Sequence, residues 1–219
     1  MNGVEINIRN NYDFISSYYD DAFYNDFTEE NLIISLVIDY FVKTKKPNVA
    51  TEFGCGTGFW LKIFVENNIN KIVAVDCSEK MLDICKLKYN NTGIRFQNLN
   101  FTNTSLFIRT DLVLTAFLFS ALDYKFFENV INNIYNILNN DGIFVFIDNI
   151  PTNSDDFQEL VLLEKWGDKT INCKYTLYNL DFLVYTLKEY NFKIIFKFKL
   201  GSDIQIVVCK KSSKIKVEE

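Results

Sequence analysis

Ala50-Thr51-Glu52-Phe53-Gly54-Cys55-Gly56-Thr57-Gly58 reads as a buried strand that breaks into a glycine turn and opens a helix. A second apolar run, Ile72 to Val75, follows and ends at Asp76. An acidic residue roughly 20 positions beyond such a turn is the spacing of a nucleotide-binding βαβ unit. Glycine is needed where a ligand must approach bare backbone, and where the turn takes positive φ. Asp76, ending the second strand, is then placed to accept from a ribose diol.

Working outward, the first strand is Val49 to Phe53, and the helix after Gly58 carries Trp60, Leu61, Phe64 and Val65. Ser78 predicts an N-cap for a helix with Met81, Leu82, Cys85 and Leu87. Ile94 to Phe96 is a third strand, and Leu112 to Leu114, headed by Asp111, a fourth. A helix from about Lys125 to Leu138 stops at Asn139-Asn140-Asp141-Gly142, read as a turn before the apolar strand Ile143 to Ile147. Near-continuous apolar strands alternating with helices predict a parallel sheet covered on both faces. Residues after Pro151 read as irregular. Helix Leu180 to Tyr190 follows, then Phe192–Phe198 and Ile204–Lys210, joined at Gly201-Ser202-Asp203 as a hairpin.

Upstream, Tyr12 to Phe27 carries aromatics at near-helical spacing, and Thr28-Glu29-Glu30 starts a helix whose apolar face is Leu32, Ile33, Leu36, Val37 and Tyr40. The expected architecture is α/β: a Rossmann-like, doubly wound, mostly parallel seven-stranded sheet with an antiparallel C-terminal hairpin and helices on both faces. It forms a single domain over 1–219, with 1–45 as an N-terminal helical lid and 151–178 as a substrate-side insertion.

Composition narrows the partners. Of 219 residues 48% are hydrophobic, and 23 Lys+Arg stand against 28 Asp+Glu, a net charge of −5. An acidic chain without a basic block argues against nucleic acid. The one basic cluster, Lys210 to Lys216, reads as a solvated terminus. No signal-peptide pattern opens the chain and no apolar run has membrane-spanning length, so a cytoplasmic protein, monomer or homodimer, is expected. The 5 cysteines (Cys55, Cys77, Cys85, Cys173, Cys209) lack metal spacing, and there are 0 histidines, so reduced thiols and no metal site are expected.

The glycines fall as G-x-G-x-G, with Phe59 and Trp60 where a dinucleotide fingerprint places its third glycine, and no Gly-Lys-Ser/Thr ending follows. Helix N-terminal N–H groups suit a carboxylate, and Glu52 is poised near an ammonium. Here the residues resemble class I S-adenosylmethionine (SAM) dependent methyltransferases of the small-molecule type. The first motif is Glu52-Phe53-Gly54-Cys55-Gly56-Thr57-Gly58, and the second is Val73-Ala74-Val75-Asp76-Cys77-Ser78-Glu79-Lys80-Met81-Leu82. Asp111-Leu112-Val113 and the turn Leu138 to Gly142 match the strand-four and strand-five signatures. The resemblance implies SAM as cofactor and S-adenosylhomocysteine as product. It implies that Gly54, Cys55, Gly56 and Gly58 line the methionine moiety, with Glu52 near its amino group. Asp76, beside Cys77, would take the ribose, and Met81, Asn100 and Phe101 would surround adenine. Thr115, Ala116 and Phe117 would edge the amino end, and Tyr19 would close over the cofactor.

A sulfonium carries its own activation, so alignment supplies most of the catalysis, about 7–11 kcal/mol in favourable cases. Hydroxyl acceptors need a base, usually His, and this chain has 0. Base work falls to Asp148, Asp123, Tyr124 or Tyr19, with Tyr19 and Asp148 as catalytic candidates. An amine needs only its neutral form. A small-molecule amine acceptor is therefore favoured, with O-methylation of a hydroxyl, phenol or carboxylate second. A non-catalytic SAM-binding partner subunit and an NAD(P) oxidoreductase are the alternatives. The acceptor segments are Tyr12–Tyr24, Phe117–Tyr124 and Pro151–Tyr178, and Tyr18, Tyr19, Asp20, Asp21 and Tyr24 suit a cationic ligand.

Overall fold

A computed structural model describes residues 3–26, 28–100, 102, 108–153 and 155–212. Phe27, the side chains of Phe23 and Tyr24, and the basic tail beyond Ser212 lie outside the described residues. The helices are α1 (Gly3–Asp26), α2 (Thr28–Lys45), α3 (Leu61–Glu66), α4 (Glu79–Lys88), α5 (Phe127–Ile137) and α6 (Leu180–Glu189). The strands are β1 (Val49–Phe53), β2 (Lys71–Asp76), β3 (Arg95–Asn98), β4 (Thr110–Ala116), β5 (Leu138–Asn149), β6 (Phe157–Trp166), β7 (Lys169–Tyr178), β8 (Phe192–Leu200) and β9 (Ile204–Lys211).

Seven strands form one sheet in the order β3-β2-β1-β4-β5-β9-β8. β3, β2, β1, β4 and β5 run parallel, and β9 and β8 close the edge antiparallel. The alternation of strand side chains sorts the core into two layers. Phe53, Val75, Val113, Phe144, Phe146 and Val207 face α5 and α6. Ala50, Ala74, Leu112, Leu114, Val145 and Val208 face α2, α3 and α4. The strand order reverses between β1 and β4, which is where an open α/β sheet holds its ligand, beyond the carboxyl ends of the strands.

Three local expectations change. The apolar face of α2 is rotated: Ile34, Ile38 and Val42 are buried, while Leu32, Ile33, Leu36 and Tyr40 are exposed. Helix and sheet packing, not local apolar count, sets that face. The polar run Asn139 to Gly142 is not a turn. It is an irregular opening of β5, in which Leu138 pairs with Thr110 and the ladder resumes at Leu112 with Ile143. Residues 157–178 are not irregular but a second, two-stranded antiparallel sheet of β6 and β7, turned at Gly167-Asp168. Of the expected lid, α2 belongs to the core layer, and α1 alone reaches over the carboxyl ends.

Asp111 joins three strands at the opposite end of the sheet. Its Oδ2 accepts from the N–H groups of Asn48 and Val49, each at 3.0 Å, and its Oδ1 from Asn139 Nδ2 at 2.8 Å. These bonds hold its carboxyl below the usual carboxylate range against the cost of burial. Hydrogen bonds to a charged group contribute about 1.5–3 kcal/mol. Asp111→Ala is expected to lower unfolding free energy by about 2 kcal/mol, read from urea denaturation with an unchanged m-value.

Candidate functional site

The glycine turn leaves β1 and folds back on β2, where the N–H groups of Gly54 and Cys55 both donate to the carbonyl of Val75, at 2.8 and 3.1 Å. Gly54, Gly56 and Gly58 have φ of 67°, 52° and 87°, the left-handed region where L side chains are strained. The three differ in what surrounds them. A Cβ on Gly54 would lie 2.8 Å from Leu118 Cδ1, and one on Gly58 would lie 2.6 Å from Cys85 Sγ and 2.7 Å from Tyr89. At Gly56 the nearest atom is Tyr19 Cε1 at 3.9 Å. Packing demands the outer glycines, whereas Gly56 keeps bare backbone beneath Tyr19.

Asp76 ties this turn to the next helix. Its Oδ2 accepts from the N–H of Gly56 and its Oδ1 from the N–H of Ser78, both at 2.8 Å. Burial pushes its carboxyl up to about 6 in spite of those bonds. Ser78 caps α4, accepting from the Met81 N–H at 3.1 Å, and Met81 is buried beneath it. Cys77, between them, is half-buried, and burial raises its thiol to about 12. Cys55 is buried and its thiol is likewise pushed up, so neither is a thiolate nucleophile near neutral pH.

Glu52 lies next to the last residue of β1, 1% exposed, and its Oε2 has no hydrogen-bond partner among the described residues. Burial pushes its carboxyl well above the ordinary range. Asp148, at the end of β5, is equally buried. Its Oδ2 accepts from the Ser120 N–H at 3.0 Å and its Oδ1 from its neighbour Asn149 at 2.8 Å. Burial raises it to about 6 against those bonds. Among the described residues no cation pairs with Glu52, Asp76 or Asp148. Glu52 and Asp76, buried and near each other, make a site for positive charge or for hydrogen-bond donors.

Two elements cover the crevice. On α1, Asp13 Oδ1 accepts from Ser78 Oγ at 2.5 Å, and Asp20 accepts from Thr57 Oγ1 at 2.5 Å and from Lys88 at 2.6 Å. The β6–β7 turn grips the same helix. Tyr18 donates its hydroxyl to Asp168 at 2.6 Å, and Lys169 donates to the Phe14 carbonyl at 2.5 Å. Between them Tyr19 stacks on Trp166, with centroids 5.6 Å apart and planes 4° from parallel, and meets Tyr12 edge-on at 6.2 Å. Glu164 fixes this layer, accepting from Trp166 Nε1 at 3.0 Å and from the Tyr175 hydroxyl at 2.7 Å. Burial, with Asp76, Asp20 and Glu52 nearby, raises the Tyr19 phenol far above its ordinary value, so it stays protonated at neutral pH.

The structure thus brings Tyr19, Glu52, Gly54, Cys55, Gly56, Gly58, Asp76, Cys77, Thr115, Phe117 and Asp148 to the carboxyl end of the sheet, with Met81 on the adjoining helix. Phe117 there has φ 56° and donates its N–H to the Ile147 carbonyl at 2.8 Å, a strained backbone of the kind that gathers at functional sites. Asn100 turns inward on its own loop, its Oδ1 accepting from the Thr102 N–H and hydroxyl at 3.0 and 2.6 Å. Phe101 lies outside the described residues. Trp166, Glu164 and Tyr175 come from the β6–β7 hairpin, within the segment whose sequence predicts irregular structure. The turn signal Gly167-Asp168, followed by the alternating run of β7, is what marks them. Asp123, a possible base, is held by Lys174 at 2.8 Å and Lys125 at 3.5 Å. No group of three or more His, Cys, Asp or Glu suited to a metal occurs among the described residues. No helix there is long and apolar enough to cross a membrane.

Residues 50–142 match the family model described as a methyltransferase domain. An uncharacterized protein of Methanocaldococcus jannaschii is 29% identical over 146 residues, covering 65% of this chain and 51% of that one. The chain therefore spans about half the length of the curated relative it matches. Among solved structures, a DhpI-SAM-HEP complex superposes with a TM-score of 0.76 at 14% identity, covering 95% of this chain and 98% of that one. The 1,6-didemethyltoxoflavin-N1-methyltransferase of Burkholderia thailandensis, solved with 1,6-didemethyltoxoflavin and S-adenosylhomocysteine, gives 0.68 at 16% identity, covering 92% and 86%.

Two outcomes follow from this geometry. Gly58→Ala forces a Cβ against Cys85 and Tyr89 and is expected to lower the melting temperature. Gly56→Ala incurs only the left-handed penalty, about 1–2 kcal/mol, so scanning calorimetry should rank it the milder of the two. Separately, Asp76 and Asp148 have folded-state values near 6, above the ordinary carboxylate value of 3.8. A raised value means the folded state holds its proton more tightly, so their contribution is complete below pH about 4 and lost as pH rises through about 6. The melting temperature of the ligand-free protein should fall across that window, and Asp148→Asn should flatten part of the slope.

Proposed function

We propose that the protein is a class I, SAM-dependent methyltransferase that transfers a methyl group from SAM to the nitrogen of a small-molecule amine, a reading that starts from the match of residues 50–142 to a family model described as a methyltransferase domain. The buried, partnerless Oε2 of Glu52 carries this reading. A carboxylate interred without a donor is expensive unless a ligand supplies one, and the ammonium of SAM is such a donor. The bare backbone of Gly56 leaves room beside it, and Asp76 retains lone pairs for a ribose diol after taking two N–H groups.

When bound, SAM supplies an activated methyl on its sulfonium. The chain's own residues then have four tasks. Glu52 holds the amino end, Asp76 the sugar, and Met81 and Cys77 flank the base. Tyr19, stacked on Trp166, closes the crevice and excludes water. Because its phenol stays protonated, its part is positional, not proton removal. The aromatic layer of Tyr12, Tyr19, Trp166 and Tyr175, anchored on Glu164, supports an amine acceptor, since ring faces and a carboxylate both favour a cation. The amine loses its proton to solvent before attack, so no residue needs to be a strong base. The toxoflavin N1-methyltransferase among the structural neighbours is in keeping with nitrogen as acceptor.

Asp148 favours a second reading, O-methylation. Its value near 6 leaves it ionised at neutral pH yet able to take a proton.

Calorimetry is expected to show S-adenosylhomocysteine binding in the micromolar range and no binding of NAD. Glu52→Gln should weaken it about 10- to 100-fold, the equivalent of one charge-assisted bond. Absence of binding overturns the cofactor assignment. In a methylation screen of amines, amino sugars, amino acids and phenols, an amine should turn over. With that acceptor Asp148→Asn should keep kcat within about tenfold, whereas a loss of about 10²-fold or more, or turnover of phenols alone, favours the oxygen reading.

A further inference from the structure

We propose that β6 is the interface of a homodimer, two copies pairing antiparallel along its outer edge with Leu162 on the two-fold axis. This inference does not depend on the methyl acceptor or the cofactor.

β6 and β7 form a sheet of only two strands, regular from Phe157 opposite Tyr178 to Trp166 opposite Lys169. β7 is the inner strand. Its Thr176, Leu177 and Tyr178 are buried, its Lys174 bonds Asp123, and the Tyr178 carbonyl accepts from Gln205 at 2.7 Å. β6 is the outer strand, and among the described residues its far edge pairs with no other strand. In an antiparallel ladder alternate residues aim their N–H and C=O groups away from the partner. The outer edge of β6 therefore presents a row of such groups, the usual template for strand addition.

Protein edges of this kind are ordinarily blunted by proline, a bulge or inward-pointing charge. β6 has no proline and no bulge over its length, and its one inward charge, Glu164, is taken up by Trp166 and Tyr175 rather than blunting the edge. Its centre is apolar and in water: Val161 is 68% exposed, Leu162 46% and Leu163 71%. Exposed apolar side chains on an unpaired edge call for a partner strand, and the charges say which one. Glu159 and Lys165 lie three residues to either side of Leu162. When β6 meets a second β6 with Leu162 opposite Leu162, Val161 faces Leu163 and Glu159 faces Lys165, twice over by symmetry. This is the self-complementarity an isologous two-fold interface requires. Moving the axis to Val161 sets Glu159 against Leu163, and moving it to Leu163 sets Val161 against Lys165. Only the register centred on Leu162 sets Glu159 against Lys165, and it leaves Leu160 opposite Glu164 as its one apolar-to-charge contact, whereas each of the other two has more. Glu159 Oε1 already takes Lys174 at 2.9 Å within the hairpin, and a carboxylate has capacity for a second cation.

Sedimentation velocity across the micromolar range tests this on the full chain. A concentration-dependent dimer is expected. Lys165→Glu places like charges opposite each other at both ends and should raise the dimer dissociation constant about tenfold or more. Adding Glu159→Lys restores opposite pairing and should restore the dimer, which an interface elsewhere on the molecule would not do. Leu162→Cys should form a disulfide-linked dimer under mild oxidation that the wild type does not form, since facing Cβ atoms in such a pair lie about 4.5–5.5 Å apart. Circular dichroism confirms that each variant is folded. A wild type that stays monomeric throughout, or a dimer indifferent to the charge reversal and uncrosslinked at position 162, overturns the proposal.

Discussion

The carboxylate of Asp76 is the fastening on which the site depends. One oxygen holds the Gly56 N–H of the turn leaving β1, and the other holds the Ser78 N–H that opens α4. Two successive strands are thereby locked at the height where the sheet order reverses. Without that carboxylate the glycine turn has no tether to β2 beyond the Val75 carbonyl, and α4 loses the alignment of its cap. The same group is pushed toward neutrality by burial. The structural clamp is thus the same side chain proposed to hold the ligand, and backbone donors offset part of the cost of burying it.

Around this clamp the cover is built by long-range pairs. α1 is pinned to the α4 cap through Asp13 and to the glycine turn through Asp20. The hairpin is pinned to α1 through Tyr18 with Asp168 and through Lys169 with Phe14. The Tyr19–Trp166 stack is where the two covers meet. Even the hairpin turn is shaped by this docking: a Cβ on Gly167 would fall 2.3 Å from the Tyr18 ring. Cover and hairpin are therefore joined through the same few side chains.

Much of this is legible in the sequence, for identifiable reasons. Gly54, Gly56, Gly58 and Asp76 can be read because left-handed backbone and a buried acidic strand end leave few residue choices. The central parallel strands β2, β4 and β5 can be read because both faces are covered, so each carries a continuous apolar run. The face of α2 cannot: it is apolar nearly all round, so Ile34, Ile38 and Val42 are chosen by the sheet they meet. β6 also resists reading, because Leu160 to Leu163 shows no alternation, even though its partner strand follows directly across Gly167-Asp168. The roles of Trp166, Glu164 and Tyr175 are invisible too, being set by contacts with α1 about 150 residues upstream. Asn100 is ambiguous from sequence alone, and its side chain serves its own loop.

A crystal structure of the protein grown with S-adenosylhomocysteine tests the central claim most directly. The account predicts the homocysteine end over Gly56, its ammonium joined to Glu52 directly or through one water, and both ribose hydroxyls within hydrogen-bond reach of Asp76. A crevice left empty at saturating ligand, or a nucleoside bound with its sugar away from Asp76, would contradict it.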